Sequence, residues 1–204
     1  ETLQLRELDV ARRDDFYNTM QQELIRLDTL INQLLEVGRL DAIGHESETE
    51  DIQLEPLLRR CALAACAKHQ HVAPDVFEFV IPPVVIHARP IVLEMIFGNL
   101  LDNAIKYGAE QPEVRVEVST RSRGRILTQI IDNGDGIAPE LKKKIFRIFV
   151  RSGEELTRRK KGTGLGLYIV RTLVHTLKGR IRVQDRSDRS GSVFEVELPG
   201  HVAA

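Results

Sequence analysis

Residues 90–107 read Pro-Ile-Val-Leu-Glu-Met-Ile-Phe-Gly-Asn-Leu-Leu-Asp-Asn-Ala-Ile-Lys-Tyr. At about 100° per residue, Leu93, Phe97, Leu100, Leu101, Ala104 and Ile105 fall on one arc, the pattern of a helix with a buried face. The opposite stripe carries Asn99, Asn103, Lys106 and Tyr107 about one turn apart. Amide oxygens suit a hard cation such as Mg²⁺, an ammonium neutralises phosphate, and an aromatic ring can cover a base. A merely solvated polar face would present the same residues, so the stripe acquires meaning only from segments further along the chain.

Two such segments supply that context. Asp132-Asn133-Gly134-Asp135-Gly136-Ile137 comes directly after an apolar strand, and a carboxylate at a strand end can accept from an exocyclic amine while glycines let the backbone close over a flat ring. A plain β-turn explains those glycines as well. Gly162-Thr163-Gly164-Leu165-Gly166-Leu167 opens another helical pattern, where free amides at a helix start favour anions. It is not a Walker A loop, because Gly-Lys-Ser/Thr is absent, and no strand leads straight into it as a dinucleotide fold requires.

Outward from these segments, periodicity predicts helices over 54–69, 90–107 and 139–146 and one from about 164. Strands are predicted over 76–81, 84–87, 114–120, 125–131, 180–185 and 193–198. Helices and mainly adjacent strands without strict alternation argue for an α+β two-layer sandwich, one helical layer on a mixed sheet. The acidic, glycine-containing stretch around 44–51 reads as a linker and sets a domain boundary near 45/46. Before it, Met20, Leu24, Leu27, Ile31 and Leu34 recur at spacings of four and three over 16–40, the narrow seam of a helix that needs a partner helix.

With a net charge of −1, the chain has no global electrostatic reason to bind nucleic acid or an anionic membrane. No apolar run approaches the ~18 residues of a membrane span, and a cytoplasmic setting is expected. Cys61 and Cys66, five apart on a helix, point to different faces and are expected as buried thiols, neither a disulfide nor a metal pair.

In order and spacing, Asn-x-x-x-Asn-Ala-x-Lys-Tyr, Asp-x-Gly-x-Gly after a strand, Phe146-x-x-Phe149 and Gly-x-Gly-x-Gly resemble the N, G1, F and G2 boxes of two-component sensor histidine kinases. That family shares its ATP-binding (Bergerat) fold with type II topoisomerase, mismatch-repair and chaperone ATPases. The resemblance runs from about residue 52 to 199. It implies ATP and Mg²⁺ as ligands, with Asn103 as main metal ligand, Asn99 beside it, Lys106 on phosphate and Tyr107 packing near the nucleotide. Asp132 would read the adenine amino group in a pocket shaped by Gly134, Gly136 and Ile137. Thr163, Gly164, Leu165, Gly166 and Leu167 would bind phosphates and end the lid. Arg151, in the basic segment between the boxes, is the lid arginine. Val150 and Arg147 depart from the residues common in the family and bear on the lid rather than the pocket.

The helix over 16–40 resembles the second helix of the family's dimerisation hairpin, so 1–45 is expected as part of that hairpin and 46–204 as the catalytic domain. The phosphate-accepting histidine would precede Glu1, and none of the six histidines present takes its place; the first residue, Glu1 rather than Met, fits a fragment. The implied activity is γ-phosphoryl transfer to the histidine of a homodimeric parent, anchored in the inner membrane or not, and relay to the receiver domain of a response regulator. The rival readings are a nucleotide-gated ATPase of the same fold, which usually has a glutamate where Asn99 stands, and a non-catalytic nucleotide-sensing dimerisation module.

Overall fold

The computed structural model describes residues 49–69, 72–147 and 164–203, together with positions 17 and 20. The chain divides into two units, Glu1–Gly44 and His45–Ala204, and every element below belongs to the second. The helix expected over 16–40 lies outside the described residues except at Tyr17 and Met20, both helical.

In chain order the elements are β1 (Glu50–Gln53), α1 (Leu54–Lys68), a 3-10 turn (Pro74–Val76), β2 (Phe77–Val80), β3 (Val84–Ala88) and α2 (Pro90–Tyr107). After them come β4 (Val114–Arg121), β5 (Arg125–Ile131), α3 (Pro139–Lys142), α4 (Gly166–Thr176), β6 (Arg180–Asp185), β7 (Ser192–Pro199) and β8 (His201–Val202). The main sheet has the order β2-β4-β5-β7-β6. It is mixed, since β2 runs parallel to β4 while the remaining pairs are antiparallel.

Alternation builds the two layers. Val114, Val116 and Val118 are buried on one face of β4, and across the register Val116 pairs with Ile130, which pairs with Phe194. Against this face lie α2 and α4, while α1 packs on α2 and on the strands β1 and β3. Leu93, Ile96, Phe97, Leu100 and Leu101 of α2 are fully excluded from water, about 1.5–3 kcal/mol of transfer free energy for each large side chain. The other face mixes buried Leu127 and Val193 with a polar row, in which Glu117 pairs with Gln129, which faces Glu195 and through it Arg182. Glu195 is buried there, yet its carboxylate takes a hydrogen bond from Gln129 and an ion pair from Arg182, as a buried charge requires.

Three details differ from the sequence expectation. β3 leaves the main sheet and forms a separate antiparallel sheet with β1 and β8, in the order β1-β3-β8. β1 begins inside the stretch read as linker, with Glu50 and Asp51; only Ile52 of its four residues is buried, so its composition resembles solvent-exposed chain. The helix expected over 139–146 closes after Lys142, and the chain continues to Arg147 in tighter turns, Lys144 N–H bonding to the Leu141 carbonyl and Arg147 N–H to that of Lys144. Both cysteines are free and buried, and burial pushes the Cys61 thiol up to about 11. No helix among the described residues is long and apolar enough to cross a membrane.

Candidate functional site

α2 carries the site because its two faces differ. Pro90 at its first turn needs no hydrogen-bonded N–H, and Gly108 closes it, its N–H reaching the Ala104 carbonyl. With Leu100, Leu101, Ala104 and Ile105 buried, Asn99, Asn103 and Lys106 are left half-exposed and Tyr107 exposed along the opposite stripe. The Lys106 ammonium lies 5.0 Å from the centre of the Tyr107 ring, within cation–π range.

At its C-terminal end α2 meets the turn after β5. Gly134 packs on Tyr107 so tightly that a Cβ there would collide with the Tyr107 carbonyl oxygen. Asp132 is only 4% exposed, and its Oδ1 accepts from the backbone N–H of Gly134 at 2.9 Å and of Ser192 at 3.1 Å. These two bonds supply the partners that a buried carboxylate requires. Asn133 fastens the turn to the chain beyond α2: its Oδ1 accepts from Ala109 N–H (3.2 Å) and Glu113 N–H (3.1 Å), and its Nδ2 donates to the Gln111 carbonyl (2.9 Å). Gly136, at φ 80°, turns the chain past the Gly191 carbonyl, a conformation that favours glycine. Ile137 follows, half-exposed.

Toward its middle α2 meets α4. Asn99 donates from Nδ2 to the Met95 carbonyl at 2.8 Å, and its Oδ1 would lie 2.6 Å from a Cβ on Gly166. Gly166 opens α4 after Gly164, which has φ 75°, and Leu165, which is buried and has no side-chain acceptor with which to cap the helix. The first amides of α4 are therefore suited to an anionic ligand. Leu167 is half-exposed beside them. Thr163 and Arg151, along with Val150, lie outside the described residues; Arg147 is exposed.

Asn99, Asn103, Lys106 and Tyr107 thus share one helix face, as the sequence predicts, and the structure joins that helix to the Asp132 turn at one end and to the α4 start further back. The sequence reading named none of the residues that brace Asp132 from behind. Those are Arg186, Ser190, Gly191 and Ser192 in and beside the β6–β7 hairpin loop, whose Ser-Gly pair between two strands marks only a turn. A separate open groove of about 580 Å³ runs along the outer side of α4, lined by Phe146, Arg147, Tyr168, Arg171 and His175 among others; no residue of the predicted site borders it.

A sequence profile of the histidine kinase-, DNA gyrase B- and HSP90-like ATPases matches residues 88–202. Among curated proteins, the sensor histidine kinase AruS of Pseudomonas aeruginosa is 33% identical over 207 residues, covering 95% of this chain and 20% of that protein. The chain spans only 20% to 39% of the length of such curated relatives. Among solved structures, full-length ShkA in complex with AMPPNP superposes with a TM-score of 0.68 at 28% identity, covering 98% of this chain and 41% of that one. The mycobacterial sensor histidine kinase MprB superposes at 0.66 with 26% identity, covering 76% of this chain and 99% of that one. A match across more than half of the chain, on the residues that build the site, establishes that this chain belongs to the histidine kinase-, DNA gyrase B- and HSP90-like ATPase family.

Proposed function

We propose that the unit from His45 to Ala204 binds Mg·ATP and transfers its γ-phosphoryl group to a histidine of a dimerisation domain, for relay to the receiver domain of a response regulator. The observation that carries the reading is the reach of α2. From Asn99, against Gly166, to Tyr107, against Gly134, the helix rises about 12 Å. One rigid element therefore spans from the carboxylate turn to the start of α4, a separation on the scale of an extended nucleoside triphosphate.

On this reading Asp132 accepts from the adenine amino group, its carboxylate offering about four acceptor sites on two oxygens. Gly134, Gly136 and Ile137 shape the base pocket, and Tyr107 packs beside it. Lys106 neutralises phosphate, and the amides opening α4 at Gly166 and Leu167, after Gly164 and Leu165, take the phosphate tail, with Thr163 and Arg151 closing over it.

Asn103 and Asn99 would hold Mg²⁺. The donors fit: Asn103 is half-exposed and, among the described residues, its side chain makes no hydrogen bond, while Asn99 commits its Nδ2 to Met95 and turns its oxygen away from that bond. When bound, Mg²⁺ would neutralise charge on the phosphate oxygens.

The names of the curated relatives favour the kinase reading over the other members of the family, as does Asn99, an amide that cannot serve as a general base for water. We further propose that 1–45 belongs to the dimerisation hairpin, that the parent is a homodimer, and that the catalytic unit works in the cytoplasm, where ATP is found. The direct test mixes the chain with γ-labelled ATP and a separate histidine-bearing hairpin. Acid-labile, base-stable phosphate on the hairpin is the expected product; net hydrolysis without transfer would point to a nucleotide-gated ATPase, and binding without either to a sensing module.

A further inference from the structure

We infer that the β6–β7 hairpin loop, residues 186–191, is a positioning element that sets base selectivity, with Arg186 as its anchor. The inference rests on the reading of Asp132 as the carboxylate that meets adenine.

The Arg186 side chain is only 14% exposed although it stands in a loop between two strands. Asp188 grips it in a bidentate fork, Nε to Oδ1 at 2.7 Å and Nη2 to Oδ2 at 3.0 Å. A guanidinium is planar and its donors are fixed relative to one another, so this fork dictates where the remaining nitrogen points. It points at the backbone of the site: Nη1 donates to the Asp132 carbonyl at 3.3 Å. Arg186 in turn holds the Asp188 carboxyl below its ordinary range, which keeps the fork charged.

Ser190, four residues on, donates its hydroxyl to the Gly134 carbonyl at 2.8 Å. Directly after Ser190, Gly191 at φ 143° lets the loop lie on the Asp132 carbonyl, where any side chain would collide. Arg189 extends the brace by an ion pair to Glu113, the residue whose N–H is held by Asn133. The carbonyls of Asp132 and Gly134 are thus tied from behind, and neither tie touches the Asp132 carboxylate. The loop ties at Arg186 and Ser190 fix the direction of that carboxylate through its backbone, while Ser192, at the start of β7, donates to the carboxylate itself.

Direction is what selectivity needs. Adenine presents an amine donor where guanine presents a carbonyl acceptor, and a carboxylate separates the two only while it is held within hydrogen-bonding geometry. Loosening the hairpin should therefore cost affinity for adenine and leave the already poor fit of guanine nearly as it was.

The experiment is calorimetric titration of the 204-residue chain with Mg·ADP and with Mg·GDP, for the wild type, Arg186→Ala and Ser190→Ala, with melting temperatures recorded alongside. Arg186→Ala is expected to weaken ADP binding about tenfold and to narrow the ADP:GDP ratio by a similar factor; Ser190→Ala should act in the same direction by about threefold. Arg186→Lys, which keeps one donor, should recover part of the loss. Should Arg186→Ala fail to fold, Ser190→Ala, which removes one hydroxyl from the loop, decides alone. A lowered melting temperature with an unchanged ADP:GDP ratio would make the hairpin merely structural and overturn the inference. A wild-type chain that binds neither nucleotide would instead remove the reading of Asp132, and this inference with it.

Discussion

The carbonyl oxygen of Tyr107, at the end of α2, occupies the space that a side chain on Gly134 would need. The obstacle is backbone, so it cannot rotate aside, and the two elements that hold opposite ends of the site's carboxylate turn are locked by the absence of one methyl group. Gly134→Ala is expected to destabilise the fold by about 1–3 kcal/mol and to abolish ADP binding. The control is Gly98→Ala in the same helix, where nothing lies within 4 Å of the added Cβ; it should stabilise by about 0.5–1 kcal/mol. Chemical denaturation of both variants, with ADP titration, checks the pair.

Gly166 makes a softer contact, with the Asn99 amide oxygen 2.6 Å from its would-be Cβ. Here the obstacle is a side chain that can move, and alanine suits the first turn of α4 better than glycine. Gly166→Ala should leave the melting temperature unchanged or raised while displacing Asn99. The expected signature is a smaller enhancement of ADP affinity by Mg²⁺ than in the wild type; an undiminished enhancement would remove Asn99 from the metal site.

Asn133 makes three hydrogen bonds to the backbone of Ala109, Gln111 and Glu113. Replacing it with alanine leaves those groups to water and should cost about 1–3 kcal/mol. Amide hydrogen exchange at Ala109 and Glu113 should accelerate, and ADP affinity should fall because the segment steadies the end of α2.

Cys61 offers a pH test. Burial raises its thiol from 9.0 to about 11, so between those values the folded state holds a proton that the unfolded state releases. Stability contributed by the neutral thiol is complete below pH 9 and is lost as pH rises toward 11. At pH 8 its thiolate fraction should be about 100-fold below that of an exposed cysteine, so alkylation should proceed only through unfolding. Rapid labelling under native conditions would contradict the buried placement.

Much of this was legible in the sequence because the strongest signals are local. The period of 90–107 fixes a buried face and therefore an opposite one, while alternation in 114–120 and the apolar run of 126–131 mark the central strands. What was illegible depends on residues far apart in the chain. β1 pairs Glu50 with Ala88, and its single buried residue, Ile52, leaves no apolar pattern to read. The brace behind Asp132 joins residues 54 to 60 apart, among them Arg186 and Ser192, which carry no periodicity of their own. A turn motif shows that the chain bends at 186–191; it does not show what the bend holds.

The central claim is that the buried carboxylate of Asp132 recognises adenine, and calorimetry with Mg·ADP on the wild type and Asp132→Asn tests it most directly. Asparagine keeps an oxygen for the Gly134 and Ser192 amides, so the turn survives while the negative acceptor is lost. The account predicts clear binding heat for the wild type and an affinity about ten- to a hundredfold lower for the variant. Equal affinity in both proteins, or no heat in either, would contradict it.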